Sequence, residues 1–101
     1  MQIHIETEND RERERMIRLL LYSLNNRRED IDSMRLRLSA LNDTLGARLY
    51  RCRVHAALRG GQILELEETQ ASSDLAVTRA VERCARTIQR RLHGPESRRI
   101  M

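Results

Sequence analysis

Lysine, tryptophan and phenylalanine are missing from this 101-residue chain, and its only aromatic side chains are Tyr22 and Tyr50. So few aromatics exclude the stacking platforms on which readers of single-stranded RNA lay successive bases, which leaves phosphate contacts as the expected mode toward any nucleic acid. Long apolar runs are missing too. The longest, Leu19-Leu20-Leu21-Tyr22, falls far short of the roughly 20 residues that span a bilayer. The chain opens on alternating residues instead of the apolar block of a signal peptide. These absences predict a soluble, cytoplasmic protein with no membrane partner.

Cysteine is scarce. Cys52 and Cys84, with three histidines, do not supply the four matched ligands of a structural zinc site. Cys52 and His55 stand three apart on an expected strand, so they point to opposite faces and share no metal. Two thiols in a cytosolic chain read best as small buried hydrophobes. Catalytic groupings are as thin: no Ser-His-Asp or Cys-His set assembles, and no glycine-rich phosphate loop follows a strand and opens a helix. Gly60-Gly61-Gln62 spells the tripeptide of peptide-release factors. Ile63 resumes strand alternation at once, however, so the two glycines are read as a two-residue hairpin turn. The expectation is a non-enzymatic protein with no cofactor, metal or small-molecule substrate.

What the chain does have is charge. Nineteen basic residues, all arginine, face fifteen acidic ones for a net +4, and a basic domain favours anionic partners. The excess is lopsided. Residues 75–101 carry a net +5, while residues 1–74 carry −1.

Periodicity supplies the elements. Met1 to Glu6 alternates with Ile3 and Ile5 on one side, the mark of a strand with one buried face. Asn9, with Glu12 three positions on, predicts a capping box opening a helix over 10–26, whose Met16, Ile17, Leu20, Leu21 and Leu24 recur at helical spacing. Ile31 to Leu41 alternates again. After turn residues Asn42 to Gly46, Tyr50, Cys52, Val54, Ala56 and Leu58 form one face of a third strand, and Gln62 to Glu67 a fourth that pairs with it antiparallel. Ser72, Ser73 and Asp74 open a last helix that Gly94-Pro95 closes. The predicted fold class is α+β: a single four-stranded sheet with two helices on one face, in the order β-α-β-β-β-α. It is similar to the double-stranded RNA-binding domain, whose α-β-β-β-α order remains once the first strand is removed. Residues 1–93 are expected to form one domain and 94–101 a flexible tail.

On a helical wheel the last helix gathers Val77, Val81, Cys84, Ala85, Ile88 and Leu92 on one side. Arg79, Arg83, Arg86 and Arg90 gather opposite, within roughly 60° of one another, as a ridge about 16 Å long at 1.5 Å rise per residue. Solvated helix faces normally mix charge signs, because like charges at i,i+4 spacing repel. The ridge therefore predicts an anion-binding surface. A weaker stripe of Arg11, Arg15, Arg18 and Tyr22 runs along the first helix, with Glu12 and Glu14 close by. On the sheet, Arg35, Arg37, Arg51 and Arg53 share the face away from the helices, and Glu65 and Glu67 are expected to pair with part of that set.

The opening Met1-Gln2-Ile3-His4-Ile5, the element order, Arg59-Gly60-Gly61-Gln62-Ile63 at the last hairpin and Ala80-Val81-Glu82-Arg83-Cys84-Ala85-Arg86 in the final helix together resemble the ribosome hibernation-promoting factor family. Its members are also called ribosome-associated inhibitor A or sigma-54 modulation proteins. Family members bind the small ribosomal subunit where messenger and transfer RNA lie, blocking translation and preserving idle ribosomes under stress. The resemblance implies the same partner here, ribosomal RNA of the small subunit. It places Arg79, Arg83, Arg86 and Arg90 in the RNA contact, with Arg91 at its margin. The helix start Ser72-Ser73-Asp74 lacks the tyrosine of the family's Asp-x-Tyr segment, the usual lysines are arginines or missing, and Glu6-Thr7-Glu8-Asn9-Asp10 is more acidic than the family's usual glycine-containing turn. The chain resembles the short form of the family, without the dimerisation domain of the long form. A second reading is a protein-interaction module that keeps the fold without the ribosome, and a homodimer stays open under either.

Overall fold

The computed structural model describes residues 1–24 and 28–93. Strand β1 (Gln2–Glu6) leads into helix α1 (Asp10–Ser23), followed by β2 (Ile31–Asn42), β3 (Arg48–Leu58), β4 (Ile63–Gln70) and helix α2 (Ser73–Ile88). The order is the β-α-β-β-β-α read from the sequence. The expected tail 94–101, the Gly94-Pro95 stop and the last predicted residues of the first helix, Asn25 and Asn26, lie outside the described residues.

The sheet runs β1-β2-β3-β4. β1 is parallel to β2, as a strand must be when a helix carries the chain back across the sheet, and the other pairs are antiparallel. Register puts one apolar row straight across all four strands: Ile5, Leu36, Val54 and Leu66. Both helices cover that face. Met16, Leu20 and Leu24 from the first helix and Ala80, Val81, Cys84 and Ile88 from the second meet Leu36, Cys52 and Ala56 from the sheet, all of them fully buried.

Asn9 caps α1 by accepting from the Arg11 N–H (2.8 Å), and Ser72 caps α2 by accepting from the Leu75 N–H (3.1 Å). The predicted capping box is not made. Glu12 spends its carboxylate instead on Arg15, one turn on in the same helix (2.6 Å), and on the Ser73 hydroxyl of the second helix, whose N-terminus lies alongside (3.2 Å), because a guanidinium is a stronger donor to a carboxylate than a backbone N–H. Arg15 also bridges to Asp74 (2.7 Å), so the helices are tied at one end with their outward sides facing the same way.

The β3–β4 connection is wider than the two-residue turn expected. Leu58 N–H still reaches the Gln62 carbonyl (2.8 Å), which leaves Arg59, Gly60 and Gly61 in the loop. Both glycines sit at φ +92°, a region closed to most side chains. Arg59 then latches the loop to buried Asp30, its N–H on the Asp30 carbonyl (2.7 Å) and its guanidinium on the carboxylate (3.2 Å). The β2–β3 hairpin outruns its neighbours. β1 stops opposite Arg37 and β4 opposite Tyr50, so an arm projects to a turn where the Asp43 carboxylate takes the N–H groups of Leu45 and Ala47 (2.8 Å each).

Cys52 and Cys84 are both fully buried, and burial pushes each thiol up to about 12. Thiolate, not thiol, is the nucleophile, so a disulfide-exchange reagent added to native protein at pH 8 should modify neither cysteine. Both should react at once in denaturant. The sign follows: an unfolded thiol ionises near 8.5 while the folded one stays neutral, so stability is flat below that pH and is lost as pH rises toward 12.

Candidate nucleic-acid interface

Each arginine is decided by whether a carboxylate has already claimed it. On the open face of the sheet every one is claimed. Glu6 at the β1 edge lies 3.9 Å from Arg35 and 3.6 Å from Arg37, and Glu67 on β4 lies 4.0 Å from Arg51 and 3.0 Å from Arg53. His55 meets Glu65 at 3.1 Å. Register makes these pairings unavoidable: Glu6, Arg37, Arg53 and Glu67 form one cross-strand row, acids outside and bases within. Two carboxylates shared among four arginines compensate this face only in part, and of the four only Arg53 is within hydrogen-bonding distance of its acid.

The helical side divides differently. Arg79, Arg86 and Arg90 are exposed, and among the described residues none of their guanidinium groups has a hydrogen bond or ion pair. Arg79 acts on Glu68 only as a through-space charge. Arg83 departs from the predicted ridge. It sits on the flank nearest β4, and Glu68 has the same parity as Leu64 and Leu66, so that carboxylate rises on the helix-covered face directly beneath the guanidinium. Arg83 bonds Glu68 and also donates to the Glu67 carbonyl (3.0 Å). The hydrogen bond from Arg83, then a second from Gln70 (3.1 Å), holds the Glu68 carboxyl below its ordinary value.

Arg91 departs as well. After Ile88 the helix widens into a π turn over Gln89–His93, and Arg91 reaches back to donate to the Ile63 carbonyl at the start of β4 (2.9 Å). Along the first helix, Arg15 is held between Glu12 and Asp74, so it too is spent on the fold. Arg11 and Arg18 are exposed and their guanidinium groups are unpaired among the described residues. Of the eight arginines assigned to RNA, five have guanidinium groups without a partner among the described residues, Arg11, Arg18, Arg79, Arg86 and Arg90, and Arg91 spends one donor on a carbonyl while no carboxylate among the described residues pairs with its charge. Beside Arg18 on the same outward stripe is Tyr22, 85% exposed.

Glu68 is what the sequence reading missed. It lies just past the predicted end of the fourth strand, and extending the alternation Leu64, Leu66 by one more step would have put it on the buried side. The pair yields a test. Glu68→Gln should release Arg83 to phosphate and steepen the dependence of log K on log salt by about 0.7–0.9, the increment for one phosphate contact. Its stability cost at neutral pH should be no more than about 1 kcal/mol, since Arg83 is half exposed. Because the folded pKa is lowered, that cost should diminish as acid protonates Glu68 in the parent, a trend readable by denaturant melts of both proteins at pH 7 and at successively lower pH.

No group of three or more His, Cys, Asp or Glu able to hold a metal occurs among the described residues. No helix among them is long and apolar enough to cross a membrane.

The crystal structure of the Thermus thermophilus Protein Y N-terminal domain matches this chain with a TM-score of 0.70 at 21% sequence identity, over 89% of this chain and 98% of that one. At that identity the likeness is one of fold, and this chain has the α+β fold of that domain. Rare lipoprotein B from Shewanella oneidensis, 17% identical over 100% of both chains, reaches a TM-score of only 0.38, too low for a shared fold. No protein-family model matches the chain, and no curated protein does.

Proposed function

We infer that this chain is a non-enzymatic RNA-binding protein of the hibernation-promoting type, acting in the cytoplasm on the small ribosomal subunit to block translation and preserve idle ribosomes. Residues 1–93 would act as one domain. The observation that carries this reading is the set of five exposed, unpaired arginines on the outward side of two helices. The fold shared with the Protein Y N-terminal domain and the sequence resemblance to the hibernation family support it. Guanidinium groups grip phosphate through paired N–H donors, and each contact releases counterions from the RNA. Sucrose-gradient fractionation of a stationary-phase lysate tests the reading. Recovery with small subunits or whole ribosomes is the expected result; recovery only at the top of the gradient overturns it. The second reading, a protein-interaction module, draws on Arg13 and Arg15, which Asp10 and Glu12 neutralise within α1 itself. A discrete protein complex in those top fractions would favour it.

A further inference from the structure

Only two aromatic residues exist in this chain, and they are used differently. Tyr50 is half buried on the helix-covered face, with the Arg48 guanidinium 5.9 Å from its ring centre. Tyr22 is 85% exposed and has no hydrogen bond or cation contact among the described residues. A lone exposed apolar side chain is ordinary. This one stands in unusual company. Arg18 lies one turn before it on the same stripe, close enough for the side chains to be neighbours, and Arg11 lies about 16 Å further up the helix at 1.5 Å per residue. Both guanidinium groups are unpaired among the described residues, the outward side of α2 presents Arg79 and Arg86, and Arg90 is exposed in the π turn that follows.

Tyrosine contributes nothing to the core from this position. In a solvated helix it is also a poorer helix former than the charged residues around it. What a flat ring among free cations suits is a nucleotide: phosphates taken by the arginines, the π face of an unstacked base laid on the ring. An acidic protein would satisfy the arginines equally and also pack on the ring, and the test below separates the two. We propose that Tyr22 is the stacking residue of this surface, holding one unpaired RNA base while Arg18 holds an adjoining phosphate and Arg11 a phosphate further along the strand. The proposal rests on the RNA-binding reading above and adds to it a contact that does not depend on charge. The scarcity of aromatics excludes a platform for successive bases but not a single stacking point.

The test compares a single-stranded RNA oligomer with the same oligomer carrying abasic sites, which keeps the phosphates and removes the bases. The native chain should prefer the base-bearing oligomer by about tenfold, within the range of one stacked base. Tyr22→Phe should keep the preference. Tyr22→Ala should lose it without changing the salt slope, because stacking releases no counterions. Tyr22 is exposed, so circular dichroism should show all three folded alike. Equal affinity of the native chain for both oligomers, with small subunits still bound, overturns the stacking role and leaves the RNA-binding reading standing. Failure to bind either oligomer or small subunits overturns both. Weaker binding of Tyr22→Ala to subunits alone, with no base preference in the native chain, assigns the ring to a ribosomal protein and also overturns it.

Discussion

Replacing Arg79, Arg86 and Arg90 together by alanine is expected to abolish co-sedimentation with small ribosomal subunits at physiological salt while leaving the circular-dichroism spectrum unchanged. All three side chains are exposed and make no hydrogen bond or ion pair among the described residues, so their removal takes nothing from the fold. Each phosphate contact contributes about 0.7 to 0.9 to the slope of log K against log salt. Three lost contacts should therefore flatten that slope by about two to three, measurable at low salt where residual binding persists. Arg83→Ala is the control from the same helix. Its guanidinium is engaged by Glu68, so the slope should barely move. Equal effects from Arg83→Ala and Arg86→Ala would show that ion pairing within the chain does not decide which arginines reach RNA.

The converse experiment damages the scaffold and spares the surface. Leu36 is fully buried at the centre of β2, between Ile5 and Val54 in the row that underlies both helices. Leu36→Ala removes three carbons and leaves a cavity that backbone ladders on either side prevent from collapsing, for a cost of about 2–5 kcal/mol. In a domain of this size that corresponds to a fall of roughly 10–25 °C in melting temperature. Below its new melting point the variant should bind small subunits with the parent's salt slope, because no arginine has moved. Loss of binding in a folded Leu36→Ala protein would mean that the ridge is positioned by finer packing than the helix axis provides.

Much of this was legible in the sequence, for a physical reason. Where one face of an element is buried and the other wet, side-chain period reveals both element and face, and so β1, β2, β3 and both helices were read with the correct sides inward. The helix caps Asn9 and Ser72 were equally plain. What period does not carry is the distance between elements. A helical wheel puts Arg83 beside Arg79 and Arg86, yet only the packing of α2 over β4 brings Glu68 beneath it. A wheel at 100° per residue also does not describe the π turn over Gln89–His93, within which Arg91 donates to the Ile63 carbonyl. The capping box failed likewise: the Asn9–Glu12 spacing does not tell that Arg15 in the same helix and Ser73 in the neighbouring one take the Glu12 carboxylate.

The projecting β2–β3 arm affects how the protein moves through solvent. Twelve strand residues span about 40 Å at 3.3 Å each, and the molecule measures 49 × 28 × 22 Å with a radius of gyration of 14.6 Å, above the 13 Å or so of a compact chain of this length. An elongated particle drags more than a sphere of equal mass. A gel-filtration column calibrated with round standards will therefore assign a single copy too large a size, and light scattering, which weighs particles irrespective of their outline, is the measurement that separates one copy from two.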